Sequence, residues 1–202
     1  MELMKLVVGT HAVPTLISMN DAGLTLRVLG GISYLGSFEN MAKAEAAIGA
    51  PSDPVRRLGA LGVAVAEDAE RLWQKLRLTN NEHERLASMA EGWRRMSPAF
   101  GEPASRALLY RLGPEQFTDH ALLGWARSQA AASDAAWHAL ATLPQRWRAP
   151  VFPLKAADFI KRGVAKGPAL GAALAAAEAA WIAAGFPVEE KTLGEIANSV
   201  SR

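Results

Sequence analysis

The chain has 202 residues, half of them hydrophobic and 21% charged, which is enough apolar mass for a packed core and too much for a disordered chain. With no cysteine, it can hold no disulfide, thiolate metal site or iron–sulfur cluster and has no cysteine nucleophile. The net charge of +2 is too small to argue for a polyanionic partner, there is no apolar run of membrane-spanning length, and residues 1–8 are too short for a signal peptide, so the expectation is a cytoplasmic protein.

The hydrophobic period is helical wherever it can be read. An N-terminal helical group comes first, in which Gly30-Gly31 and Gly36-Ser37 read as helix ends. Neither pair lies in a phosphate-loop motif. Gly49 to Pro54 is a loop, with Asp53 placed to cap a helix that begins at Pro54. The acidic run Glu67-Asp68 with Glu70 suits a helix start through the macrodipole and needs no catalytic purpose. The stripe Ala69, Leu72, Trp73, Leu76 follows, and Leu86, Met89, Ala90, Trp93 repeats it. Between them Thr79-Asn80-Asn81-Glu82 is a capping box, in which the threonine and glutamate satisfy two orphan N–H groups reciprocally.

Further along, Gly113-Pro114 precedes the stripe Phe117, Ala121, Leu122, Trp125, and Gly167-Pro168 precedes Leu170, Leu174, Ala177, Trp181. Proline at the first helical position explains both starts. The alanine-rich segments 130–141 and 171–184 favour helix because alanine loses no side-chain entropy. Prolines 144, 150 and 153 deny helix to most of Leu143–Pro153. The expected architecture is all-α, about ten helices in an elongated body over residues 1–143 and a smaller helical tail over 153–202.

A catalytic site is hard to assemble. His11, His83, His120 and His138 lack ligand spacing, and most of the six tryptophans sit on core-facing stripe positions. Trp147, between Arg146 and Arg148, is the exception. Charge is balanced over residues 1–110, but from 146 to 166 six cations (Arg146, Arg148, Lys155, Lys161, Arg162, Lys166) face one acid, Asp158. Lys155–Arg162 reads as a short helix, 163–166 as a hairpin and Gly167-Pro168 as the start of a long helix. In one reading of this helix–hairpin–helix-like segment, Gly163, Gly167 and Gly171 let backbone approach a phosphate. The other makes Gly163 a plain helix terminator and the lysines a solvated face.

Phe152-Pro153-Leu154, Asp158-Phe159, Gly163-Val164, Gly167-Pro168, Leu170-Gly171, Leu174 and Trp181 resemble the C-terminal tail of bacterial class II tRNA nucleotidyltransferases, the CCA-adding enzymes and related poly(A) polymerases. The similarity continues upstream through Asp53–Leu61, Leu76–Glu82 and Val13–Leu24 in the family's order, with Ala156 at a usual glycine and Phe159 and Ala177 at usual leucines. The resemblance implies neck, body and tail helices that grip tRNA or another structured RNA by its A-form shape. Nucleotide addition would belong to an N-terminal catalytic head whose Asp-x-Asp holds two metal ions. This chain contains no Asp-x-Asp, so Mg and CTP or ATP are expected only for that head, with no catalysis and no cofactor here. The expected RNA contacts are Lys155, Lys161, Arg162, Lys166 and the Gly167 backbone, then Arg56, Arg57, Arg77, Arg94 and Arg95. No membrane or DNA partner is expected. The competing reading is a helical protein-interaction module of the same descent without RNA affinity.

Overall fold

The computed structural model describes residues 2–201, and regular structure among them is entirely helical, with thirteen α-helices and two single turns of 3-10 helix. Contacts divide the chain into two compact units, residues 1–147 and 148–202.

The first unit holds α1 (Glu2–Val7), α2 (Ala12–Asp21), α3 (Leu24–Leu29), α4 (Leu35–Ala47), α5 (Pro54–Gly62), α6 (Ala66–Leu76), α7 (Asn80–Gly92), α8 (Gly101–Arg127), α9 (Ala135–Ala141) and α10 (Leu143–Arg146). The 3-10 turns, Trp93–Arg95 and Pro98–Phe100, join α7 to α8.

The boundaries follow local chemistry. The Asp53 carboxylate accepts the Arg56 N–H at 2.8 Å and starts α5. Thr79 and Glu82 cap α7 reciprocally, with Thr79 N–H on Glu82 at 2.7 Å and Glu82 N–H on the Thr79 hydroxyl at 3.3 Å. Asp68 accepts the N–H groups of Ala64 and Val65 and so fixes the start of α6. Gly30 closes α3 in the left-handed region, and Gly36-Ser37 lie in the first turn of α4. Gly113, at φ 76 and ψ 168, interrupts α8, and Pro114 begins its second half.

That second half is the centre of the unit. Phe117 and every residue from Asp119 to Ala126 are buried, so it is enclosed on all sides, with α4, α5, α7 and α9 packed around α8. Phe38, Met41, Leu58, Leu61, Leu72, Leu86 and Met89 from α4 to α7 complete the core. Trp125 stacks on Trp137 with centroids 6.5 Å apart, while Trp73 is only half-buried and stacks on His83 at 4.7 Å.

The second unit holds α11 (Ala156–Ile160), α12 (Pro168–Ala183) and α13 (Glu190–Ser199). Its small core is Phe159, Ala173, Ala177, Trp181, Ile196 and Ala197. Trp181 anchors it, with Phe152 at 5.3 Å, Phe186 edge-on at 5.0 Å, and its indole N–H on the Pro187 carbonyl at 2.8 Å. Leu170 and Leu174 of the expected stripe are half-buried, since so small a unit covers only part of α12. No helix among the described residues is long and apolar enough to cross a membrane.

Candidate nucleic-acid interface

In the second unit, Lys155 N–H donates to the Asp158 carboxylate at 2.8 Å, which spends the segment's one acid on starting α11. Gly163 at φ 89 and Gly167 at φ 108 then bracket Val164-Ala165-Lys166 in a reversal that a side chain would strain. The N–H groups of Arg162, Gly163 and Val164 fold back onto Phe159 and Ile160 carbonyls, whereas those of Ala165, Lys166 and Gly167 meet no acceptor among the described residues. These successive free donors precede α12, whose dipole adds positive character at its start.

The side chains of Lys155, Lys161, Arg162 and Lys166 are all exposed around this turn. Arg162 is also tied down. Its Nε donates to Asn198 Oδ1 at 2.8 Å and its Nη1 to the Asp158 carbonyl at 2.7 Å, so it links α11 to α13. Lys161 and Lys166 make no ion pair among the described residues. All four expected cations are thus exposed, and one of them, Arg162, doubles as a tether.

The first unit corrects the expectation for Arg56 and Arg57. Both are 8% exposed and spend their donors inside the protein. Arg56 meets Asp119 at 2.8 Å and Glu45 at 3.0 Å, and Arg57 meets Glu45 at 2.7 Å, the Val7 carbonyl at 3.0 Å and Ser52 at 2.7 Å. They brace α1, α4, α5 and α8 and cannot reach an external phosphate.

Arg85, absent from the sequence expectation, completes that network by reaching Asp53 at 2.9 Å and both oxygens of Asp119. Burial alone would lower its pKa, but Asp119 and Asp53 outweigh it and hold the guanidinium charged above its ordinary value. No sequence signal marks Asp119 as a partner of Arg56 and Arg85, or Glu45 as a partner of Arg56 and Arg57, because an acid on a long helix looks like solvated surface until the helices cross.

Arg77, Arg94 and Arg95 are exposed. Arg77 occupies the left-handed end of α6 at φ 50. Arg95 borders a cavity of about 120 Å³ with Ser88, Glu91 and His120. Arg94 lies 4.5 Å from the Trp93 ring and donates to the Ala64 carbonyl at 3.0 Å. Trp147 is no open stacking platform, since it is half-buried under the Arg106 guanidinium at 5.5 Å. Arg146 is drawn to Glu102 at 3.4 Å and to the Ala139 carbonyl at 2.9 Å.

Among the described residues no three His, Cys, Asp or Glu side chains converge to hold a metal ion, and the buried carboxylates are committed to arginines. No protein-family model matches the chain, and no curated protein matches it. The arrangement of the second unit suits an anion held by backbone donors and flexible cations, which is how phosphates are commonly gripped.

Proposed function

We propose that the chain is the RNA-gripping part of a tRNA nucleotidyltransferase, a CCA-adding enzyme or a poly(A) polymerase, with nucleotide addition performed by a catalytic head outside these residues. The observation that carries this reading is the turn at 163–167. Three free backbone N–H groups stand there beside Lys161 and Lys166, neither of them paired with a carboxylate among the described residues. The residue resemblance extends through the same turn.

In this reading the tail fixes a phosphate of the RNA backbone through the donors of Ala165, Lys166 and Gly167, and the lysines supply the long-range attraction. Recognition is by A-form shape and 2′-hydroxyls, so tRNA or another structured RNA is the partner, and duplex DNA is a poor substitute. Mg and CTP or ATP belong to the head. A cytoplasmic site of action completes the reading and agrees with the absence of cysteine.

The test is Lys161→Ala with Lys166→Ala, which leaves the Arg162 tether in place. The pair should weaken tRNA binding and flatten the slope of log affinity against log salt by about one to two units. Unchanged affinity and slope would remove the tail from the interface. The second reading, a protein-interaction module, is favoured by Leu26 and Ile32, 61% and 68% exposed at and just beyond α3. A salt-independent protein partner would support it.

A further inference from the structure

In the first unit, three arginines converge on three consecutive carbonyls, the last of α5 and the first two of the loop that follows it. Arg71 donates to Gly62 at 3.2 Å, Arg127 donates to Val63, and Arg94 donates to Ala64 at 3.0 Å. Trp93 adds its indole N–H to the Ala64 carbonyl at 3.4 Å, and its ring lies 4.5 Å from the Arg94 guanidinium and 4.7 Å from that of Arg127. Tyr34 lies 5.1 Å from Arg127.

One carboxylate serves this cluster. Asp68 is bound by Arg71 and by the start of α6, and among the described residues Arg94 and Arg127 pair with no acid. Arg127 comes from the end of α8 and is half-buried, with its Nε on the Ser37 hydroxyl at 3.4 Å and no acceptor for Nη1. Burial lowers its pKa to about 10, the repulsion of Arg94 adding to this while Tyr34 and Asp68 oppose it. A half-buried guanidinium held over aromatic rings, with Asp68 near but no carboxylate paired to it directly, has room for an anion to supply what that pair would. The first-turn N–H groups of α4, at Leu35, Gly36 and Ser37, lie beside it through Ser37, and Tyr34 gives that helix no side-chain cap.

We propose that Arg94 and Arg127, held against Trp93 beside the start of α4, form a phosphate-binding site in the first unit, separate from the tail turn. Both guanidiniums lie against Trp93, at 4.5 and 4.7 Å from its ring, and keep unused N–H donors that a phosphate would accept from. A free phosphate, a nucleotide and an RNA backbone all present the same oxygens to this site.

The full chain, labelled with ¹⁵N, reports on this through its arginine Nε–H resonances. Inorganic phosphate, pyrophosphate and tRNA are titrated in turn at constant ionic strength, with exposed Arg111 as the control. The Arg94 and Arg127 signals should move saturably while Arg111 does not, and Arg94→Ala should weaken the response of Arg127 about tenfold. Arg94 is exposed, so its loss spares the core; Arg127→Lys, which keeps the charge but not the fork, should also lose affinity. Saturation by pyrophosphate but not tRNA identifies a small phosphate ligand and leaves the site standing even if the RNA reading fails. Saturation by tRNA alone identifies a polynucleotide. No saturable movement with any probe, or an Arg127 response that Arg94→Ala leaves unchanged, overturns the site whether or not the tail binds RNA.

Discussion

Arg56 and Asp119, 63 residues apart in sequence, meet through Nε and Oδ1 at 2.8 Å where α5 crosses the buried half of α8. Asp119 is fully buried and also holds Arg85, so its carboxylate is shared by two guanidiniums from two helices.

Asp119→Ala would remove the buried carboxylate that the two arginines share, leaving Arg56 only Glu45 and Arg85 only Asp53 and Glu115 at its charged end. The expected loss is about 3–5 kcal/mol, the usual cost of breaking a buried pair from one side, read as a lower urea midpoint with an unchanged slope. A loss below about 1 kcal/mol would place the network in the weak regime of exposed pairs. Substitutions at Arg56 or Arg57 should likewise weaken any RNA binding only in proportion to unfolding.

Gly92 is fixed by a neighbour. A Cβ at this position would stand 2.1 Å from His120 Cε1 and Nδ1, and moving the ring away would cost the contact between its Nε2 and Ser88 Oγ at 2.9 Å. Gly92→Ala should therefore destabilise by about 1–3 kcal/mol through overpacking. Adding His120→Ala should restore part of the loss, since it opens the space the methyl needs; an additive double variant would contradict this contact.

His120 also gives the fold a pH dependence. Burial lowers its pKa from the ordinary 6.5, against the opposing effects of Asp119, the Ser88 hydrogen bond and Glu91, while Arg95 adds to the lowering. The unfolded chain takes up a proton near 6.5 that the folded chain refuses until lower pH. This contribution is therefore complete above 6.5 and is lost as pH falls below it. Urea midpoints should drop between about pH 7 and pH 5, and His120→Gln should flatten that drop. The Asp68 carboxylate works in a different window. Burial opposes its charge, but the Ala64 N–H, Arg71 and the Val65 N–H hold its pKa below 3.8, so its contribution fades only in stronger acid.

Much of the fold was legible because it is written locally. Asp53, Thr79–Glu82, Pro114 and Pro168 state where helices begin in the chemistry of a few neighbouring residues, and the structure places helix starts at each. The short helix α11, the glycine-bracketed reversal and the start of α12 are likewise written in neighbouring residues, 155–168. What sequence could not reveal depends on residues that meet only after folding. Arg56 and Arg57 look like the exposed side of a short helix until Glu45 and Asp119 arrive from α4 and α8. Arg127 looks like a C-terminal charge on a helix until Trp93 and Tyr34 enclose it.

The central claim is that this chain grips structured RNA through phosphates, and the most direct measurement is titration of the purified chain with tRNA at about 50 mM and about 200 mM salt, with a DNA duplex of similar length as control. The account predicts tighter binding to tRNA than to the duplex and a marked loss of tRNA affinity at the higher salt. Equally weak, salt-insensitive binding to both nucleic acids would contradict it.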